Sequence, residues 1–444
     1  MLGAIRRFFK LDELGTTVGT EIRAGLVTFM ALAYIIFVQP GMLAQAGMDF
    51  GAVMMATCLA SALATILMGL LANYPIALAP AMGHNAFFVF VVCGMMKVPW
   101  QVALGANFIS GMIFVLISFV GLREHLMDAV PPTLKNGIAV GIGMLIAIIG
   151  LQNAGIVVHQ PATIVGLGNL KAPHVLLSLF GLAVVSLLMA RRVPGAILIS
   201  MLLTAAYGAA LGFLEFPRQM VAPPPSLRPT LARLDIAGAL QLRLVDVIFV
   251  FLFLDLFDTI GTLIGIGQQG GFMREGKLPR AREALFADAV GTVAGAFLGT
   301  STITSYIESS AGVSEGGRSG LANMVTALLF IAAIFFSPVI AVIGGGYHDP
   351  VSGGHFNFVT APVLIVIGSL MLSNIREIHF GDVTEAIPAF LAIILMPLTF
   401  SITEGIAFGF ISYAFLKLVT GRGREVSWLV YLFSILFIVR YIVS

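Results

Sequence analysis

The chain has 444 residues, 59% hydrophobic and 10% charged, with 24 Lys+Arg against 22 Asp+Glu and a net charge of +2. Soluble domains carry about 25% charged residues, and with a mean hydropathy of +1.02 this chain has too few charges to cover a water-facing surface. The composition excludes intrinsic disorder and, with no long basic block, a nucleic-acid partner. It places the sequence among polytopic membrane proteins.

The first residues, MLGAIRRFFKLDEL, are basic and amphipathic and lack the apolar core and cleavage site of a signal peptide. They predict a short helix on the inner membrane surface, within an N-terminal segment over 1–20. Apolar windows then occur at 22–40, 50–71, 76–92, 100–121, 134–152, 173–190 and 194–212. A second series runs 245–266, 282–300, 303–316, 319–338, 359–374, 383–399, 401–419 and 427–443. A spanning helix needs about 20 apolar residues, so the fold class expected is an all-α polytopic membrane protein. Glu215 to Gln241, with Pro223–Pro225, is the longest polar interruption. It separates a first repeat over 21–213, an inter-repeat loop over 214–243 and a second repeat over 244–444.

Positive charge marks the cytoplasmic side. Arg6, Arg7 and Lys10 put the N-terminus inside, and Arg191, Arg192, Arg274, Lys277, Arg280, Arg318 and Arg376 fall where an alternating topology requires. The expected location is the cell membrane, multi-pass, of bacterial plasma or inner-membrane type. Cys58 and Cys93 lie in apolar runs, which leaves no disulfide framework. GGGYHDPVSGGH, Gly344–His355, reads as a turn between spans rather than a metal loop, and no cofactor or metal is expected.

The third window of each half is interrupted in the same way. Pro75-Ile76-Ala77-Leu78-Ala79-Pro80 cannot continue a helix without lost hydrogen bonds. Ser301-Thr302-Ile303-Thr304-Ser305-Tyr306 competes for its own backbone groups. Irregular backbone at membrane depth survives only where protein or a cavity satisfies it. Each half is therefore expected to hold an extended segment and then a short helix starting mid-membrane. Inverted repeats would bring the two together as a binding site.

Acids within spans are expensive and usually functional. Asp255 and Asp258, at i,i+3 in VIFVFLFLDLFDTIGTLIGIGQQ, are expected on one face beside Thr259, Gly261, Thr262 and Gly265. Two such acids in a dry place suit a proton carrier. Glu308, in TSYIESSAGV, falls at the start of the second short helix, where free N–H groups stabilise a carboxylate. The facing element offers Ala81 and Gly83, small enough for backbone N–H groups to approach a ligand, with His84 and Asn85 as donors or acceptors. Phe87, Phe88 and Tyr306 are candidate stacking rings. The set fits a planar heterocycle bearing N–H donors and a carbonyl.

The motifs FLFLDLFDTIGTLIGI (Phe251–Ile266), STITSYIESSAGVSEGGRSGLANM (Ser301–Met324) and NYPIALAPAMGHNAFF (Asn73–Phe88) resemble the nucleobase:cation symporters of nucleobase-ascorbate transporter type, in their AzgA-like purine permease branch. The resemblance runs from about Glu21 to the C-terminus. It implies fourteen transmembrane segments in two inverted seven-segment repeats, with short antiparallel strands in segments 3 and 10. Segments 1–4 and 8–11 would form a core domain, and 5–7 and 12–14 a gate domain. It further implies import of guanine, hypoxanthine or adenine with a proton, and a homodimer. Substrate and proton would meet Asp258 and Glu308, with Asp255 as a further proton-coupling acid. Thr262 stands where some uracil and xanthine members carry a histidine. The alternatives are an anion transporter of the same fold, disfavoured by the clustered acids, a membrane-embedded enzyme, disfavoured by scattered histidines and the lack of HExxH, and a channel, disfavoured by two broken helices meeting at buried acids.

Overall fold

The computed structural model describes residues 2–120, 130–161, 163–215, 217–241, 244–274, 277–349 and 353–443. The first half runs α1 (Leu2–Phe8), α2 (Val18–Leu32), α3 (Ile35–Ala44), α4 (Phe50–Leu67), β1 (Leu78–Pro80), α5 (Met82–Ala86), α6 (Trp100–Val120), α7 (Pro132–Asn153), β2 (Val157–Gln160), β3 (Ile164–Leu167), α8 (Pro173–Ala190) and α9 (Ala196–Ala210). The second runs α10 (Ile236–Ala239), α11 (Val245–Gln269), α12 (Ala281–Leu298), β4 (Ile303–Ser305), α13 (Ser309–Ser314), α14 (Leu321–Ala333), α15 (Ser337–Gly345), β5 (Tyr347–His348), β6 (His355–Phe356), α16 (Ala361–Met371), α17 (Val383–Thr399), α18 (Ile402–Val419) and α19 (Trp428–Val443). Among the described residues, eight helices are long and apolar enough to cross a membrane. Met82–Met95, Ala196–Ala210, Val383–Thr399 and Trp428–Ile442 are shorter apolar helices.

Local chemistry sets the helix ends. Thr17 caps α2 by accepting from Thr20 N–H, and Asp49 caps α4 by accepting from Ala52 N–H at 2.8 Å. The first apolar window is not one straight helix: α2 and α3 are separate, with Tyr34 at the break and Pro40 inside α3. The segment expected over 303–316 is a strand and a six-residue helix rather than a span. The window at 427–443 is the helix α19. The Gly344–His355 turn holds the hairpin β5–β6, and its residues 350–352 lie outside the described residues.

Two compact units are formed, one by described residues of Met1–Val120, Asn153–Ile156 and Leu167–Val363, the other by those of Gly121–Gln152, Val157–Gly166 and Leu364–Ser444. In the first, helices meet through glycines. A Cβ on Gly69 would lie 2.7 Å from the Gly320 carbonyl oxygen, so the end of α4 and the start of α14 touch backbone to backbone. Phe9 and Leu11 pack with Leu321 in a buried cluster, tying the N-terminal segment to α14. Asp235 N–H donates to Gln101 O at 2.8 Å and Ala222 N–H to Phe335 O at 2.9 Å, so the inter-repeat loop is bonded to the helices. In the second unit, Gly141 lies against Met396 and Ala392. Lys417, nearly fully buried, pairs with Glu385 at 2.8 Å and Glu425 at 3.3 Å.

Candidate functional site

The site is built where two helices stop. α4 ends in a wider turn at Met68–Ala72, and Asn73 then takes a left-handed conformation (φ 51°). From there the chain runs extended into β1. On the other side α12 ends at Gly299, φ 103°, a conformation glycine adopts without a Cβ penalty. β1 and β4 pair antiparallel, with Leu78 opposite Ser305, Ala79 opposite Thr304 and Pro80 opposite Ile303.

Buried backbone polar groups need partners, and side chains supply them. Asn323 Nδ2 donates to Thr65 O, Tyr74 O and Ile76 O at 3.2, 3.0 and 2.8 Å. Thr65 Oγ1 serves both polar groups of Leu78, and Ser309 Oγ accepts from Ala77 N–H at 2.9 Å. Gln39 Nε2 donates to Thr300 Oγ1 and Ser301 Oγ, both at 3.0 Å. Asn85 Nδ2 donates to Gln39 Oε1, and Asn85 Oδ1 accepts from Ser301 Oγ. Gln39 thus ties α3, α5 and the approach to β4 into one buried network.

Strand alternation sorts the next side chains. Thr304 points to α11, where its Oγ1 donates to Asp258 Oδ2 over 3.4 Å. Its neighbours turn toward α12: Ser305 Oγ donates to Asp288 Oδ1 at 3.2 Å, and Ile303 lies against Gly291 and Gly295. Thr259 Oγ1 also donates to Asp288 Oδ1, at 2.8 Å, while Thr292 Oγ1 donates to Asp255 Oδ2 at 3.2 Å and to Ile303 O at 2.9 Å.

The shared face expected for Asp255 and Asp258 is therefore split. Asp255, fully buried, turns to α12, whereas Asp258 is exposed. An i,i+3 pair is rotated by about 60° on a helix, enough to put the two acids on different neighbours. Gly261, one turn beyond Asp258, faces open space, and a Cβ on Gly265 would meet Ile307 Cδ1 at 3.5 Å. Thr262 is nearly buried. Glu308 is half-buried immediately before α13, and Tyr34 OH donates to its Oε1 at 2.9 Å. Asp258 and Glu308 are the accessible acids of this group; Asp255 and Asp288 are its buried ones.

Five of the residues expected near a ligand make contacts within the fold. Ala81 N–H donates to Thr302 O at 3.0 Å, so it is spent within the fold. Asn85 is fully buried in the Gln39 network. Phe87 packs edge-on against Phe251 with ring centroids 5.0 Å apart, and His84 stacks on that same ring at 6.4 Å. Tyr306 OH donates to Pro80 O, bracing the strand pair. Gly83 is half-buried at the start of α5. Sequence reasoning passes over Asp288, although it meets the same test as Asp255: an acid inside an apolar window. Gln39 and Tyr34 give no such signal, because each has partners more than 250 residues away in the chain, Thr300 and Glu308. Among the described residues, no three His, Cys, Asp or Glu side chains gather as metal ligands.

Comparison with known proteins adds the family. Residues 19–408 match the pattern described as the permease family. The chain belongs to this family. It is 48% identical to a putative permease of Methanocaldococcus jannaschii over 99% of this chain and 98% of that protein. It is 44% identical to the adenine permease AdeP of Escherichia coli, covering 99% and 96%. It is 45% identical to the guanine/hypoxanthine permease PbuG of Bacillus subtilis, covering 99% of each. This permease is accordingly a multi-pass membrane transporter and not an enzyme. Its fold is similar to the transmembrane domain of the cyanobacterial bicarbonate transporter BicA, with TM-score 0.64 and 14% identity over 87% of this chain and 96% of that one. SLC26A9 gives TM-score 0.64 and 11% identity, covering 94% and 68%.

Proposed function

We propose that this permease imports purine nucleobases together with a proton, by alternating access, and that the crevice beside Asp258 and Glu308 binds both. The observation that carries the substrate class is the full-length likeness to AdeP and PbuG, at 44% and 45% identity. The site chemistry supports it. Two accessible carboxylates can accept ring N–H groups, and the open face at Gly261 leaves room for a flat ring.

In this mechanism a proton from outside neutralises Asp258 or Glu308, and the purine docks against α11 and α13. A core formed by segments 1–4 and 8–11 then shifts against a gate formed by segments 5–7 and 12–14, and both ligands leave inside. Asp255 and Asp288 stay behind the strand pair, where Thr259, Thr292 and Ser305 hold them. One charge moving across 100 mV supplies roughly 2.3 kcal/mol, or about fortyfold in gradient. An anion substrate suits this crevice poorly, because its two accessible acids would repel it. The BicA and SLC26A9 likeness, at 14% and 11% identity, concerns architecture alone.

The test is direct binding. Purified protein titrated with tritiated hypoxanthine, guanine, adenine and uracil should bind at least one purine and prefer it to uracil. Binding of none, by protein with a sharp thermal transition, sinks the reading.

A further inference from the structure

Tyr34 sits at the break between α2 and α3, only 1% exposed. Both Phe37 and Val38 N–H groups bond its carbonyl, so its backbone is fixed as the first residue of the new turn. A buried phenol hydroxyl needs an acceptor, and this one donates to Glu308 Oε1 at 2.9 Å. Tyr306 is the other ring at hand, 6.4 Å away and tilted by 41°, but its hydroxyl is taken by Pro80 O. Of the two tyrosines, Tyr34 is therefore the one that holds the carboxylate.

The terminal torsion of a glutamate is broad. A donor fixed on one oxygen removes that freedom and aims the second oxygen in a set direction. The two elements joined by this bond also touch elsewhere: Gly312 of α13 lies against Ala24 and Thr28 of α2. Arg318 N–H and Ser319 N–H donate to Glu21 at 2.8 and 3.3 Å, tying the far end of α13 to α2 as well. α2 thus carries α13 along its length, and Tyr34 completes the attachment at the acid itself.

We propose that Tyr34 is a positioning residue for substrate binding: its hydroxyl clamps Glu308 Oε1 and presents the remaining carboxylate oxygen, ready oriented, to a ring N–H of the nucleobase. This rests on the purine reading. The gain is preorganisation: without the clamp, ordering the carboxylate is charged against binding. The acid that interacts with Glu308 through space is Asp258, and the other titratable ring near it is Tyr306. Tyr34 acts through Glu308 and does not itself carry the proton.

The test uses the full-length protein and its Tyr34→Phe and Tyr306→Phe variants, titrated with tritiated hypoxanthine, guanine and adenine. Phenylalanine keeps the ring and removes only the donor. Tyr34→Phe should weaken binding about tenfold, with the ligand-free melting temperature unchanged and the maximal uptake rate within about twofold of wild type. Affinity within about twofold of wild type overturns the proposal. So does a fall in ligand-free melting temperature that tracks the loss of affinity, or an equal loss in Tyr306→Phe, since either marks a packing role. If wild type itself binds no purine, the purine reading falls and takes this inference with it; if wild type binds and Tyr34→Phe binds alike, only the inference falls.

Discussion

β1 and β4 are strands of one two-stranded ladder, each three residues long, each leading into a short helix. Their continuations carry different chemistry. After β1 come Ala81, Met82, Gly83, His84 and Asn85; Ala81 N–H is bonded to Thr302, the Asn85 amide to Gln39 and Ser301, and the His84 ring is buried against Phe251. After β4 come Tyr306, Ile307 and Glu308, and Glu308 remains accessible beside Asp258. The first broken segment is scaffold; the second presents charge. Repeated backbone geometry thus supplies the crossing point, and an accessible carboxylate follows the strand on one side only. Intramembrane charge is costly to bury, and the two remaining acids, Asp255 and Asp288, are held by Thr259, Thr292 and Ser305.

The largest effects are predicted at the charged side. Asp258→Asn or Glu308→Gln should lower gradient-driven purine accumulation by at least about a hundredfold, since the proposed mechanism gives each a role specific to the coupled step. Proteoliposome uptake measures this, and normal accumulation by either variant contradicts the assignment. Next comes the backbone contact that holds the two segments in register. A Cβ on Gly320 would lie 2.5 Å from Gly69 Cα. Gly320→Val should therefore cost about 1–3 kcal/mol or more through overpacking, read as a lower melting temperature.

Gln39→Leu probes the scaffold side. It leaves the buried Asn85 Nδ2 without its Gln39 acceptor, at about 1–3 kcal/mol, while Thr300 keeps Thr57 and Ser301 keeps Asn85. The expected signature is lost stability with substrate preference unchanged; a changed preference with full stability would move Gln39 to the charged side. A smaller effect is predicted for Thr304→Val, which loses only the 3.4 Å bond to Asp258. Uptake should fall several-fold rather than vanish.

The smallest effect lies away from both segments. Hydrogen bonds from Arg422, and then from Thr384, hold the Asp382 carboxyl well below the usual carboxylate range. A depressed carboxylate contributes stability above its unfolded value of about 3.9, and that contribution is lost as the pH falls through the folded value. Arg422→Ala should therefore leave activity unchanged and slightly weaken the dependence of melting on acid, an effect that salt screens because both groups are partly exposed.

Much of this arrangement is legible in the sequence, for physical reasons. Prolines 75 and 80 and the Ser/Thr run from Thr300 break helices by local chemistry, so extended segments are expected where Leu78–Pro80 and Ile303–Ser305 stand. Apolar length locates the helices, since burial in lipid is written into composition. Helix rotation is harder to read. Asp255 and Asp258 are close in sequence, but only the packing of α12 against α11 decides which one it covers. Phe87, a candidate stacking ring, packs edge-on against Phe251, a contact that an apolar window does not encode. Asp288 is open to the same reasoning as Asp255, since both are acids inside apolar windows. Tyr34 and Gln39 are not open to it, because an uncharged polar residue in a span looks ordinary until its partner is known.

Movement of a purine with a proton past Asp258 and Glu308 is the step on which the proposed function rests. The most direct measurement is uptake of tritiated hypoxanthine, guanine and adenine into proteoliposomes, with and without an imposed inward proton gradient. Gradient-driven accumulation of at least one purine is predicted, abolished by a protonophore and absent in Asp258→Asn. Accumulation that ignores the gradient would contradict the coupling. No accumulation of any purine, by vesicles holding protein that melts cooperatively, would contradict the function itself.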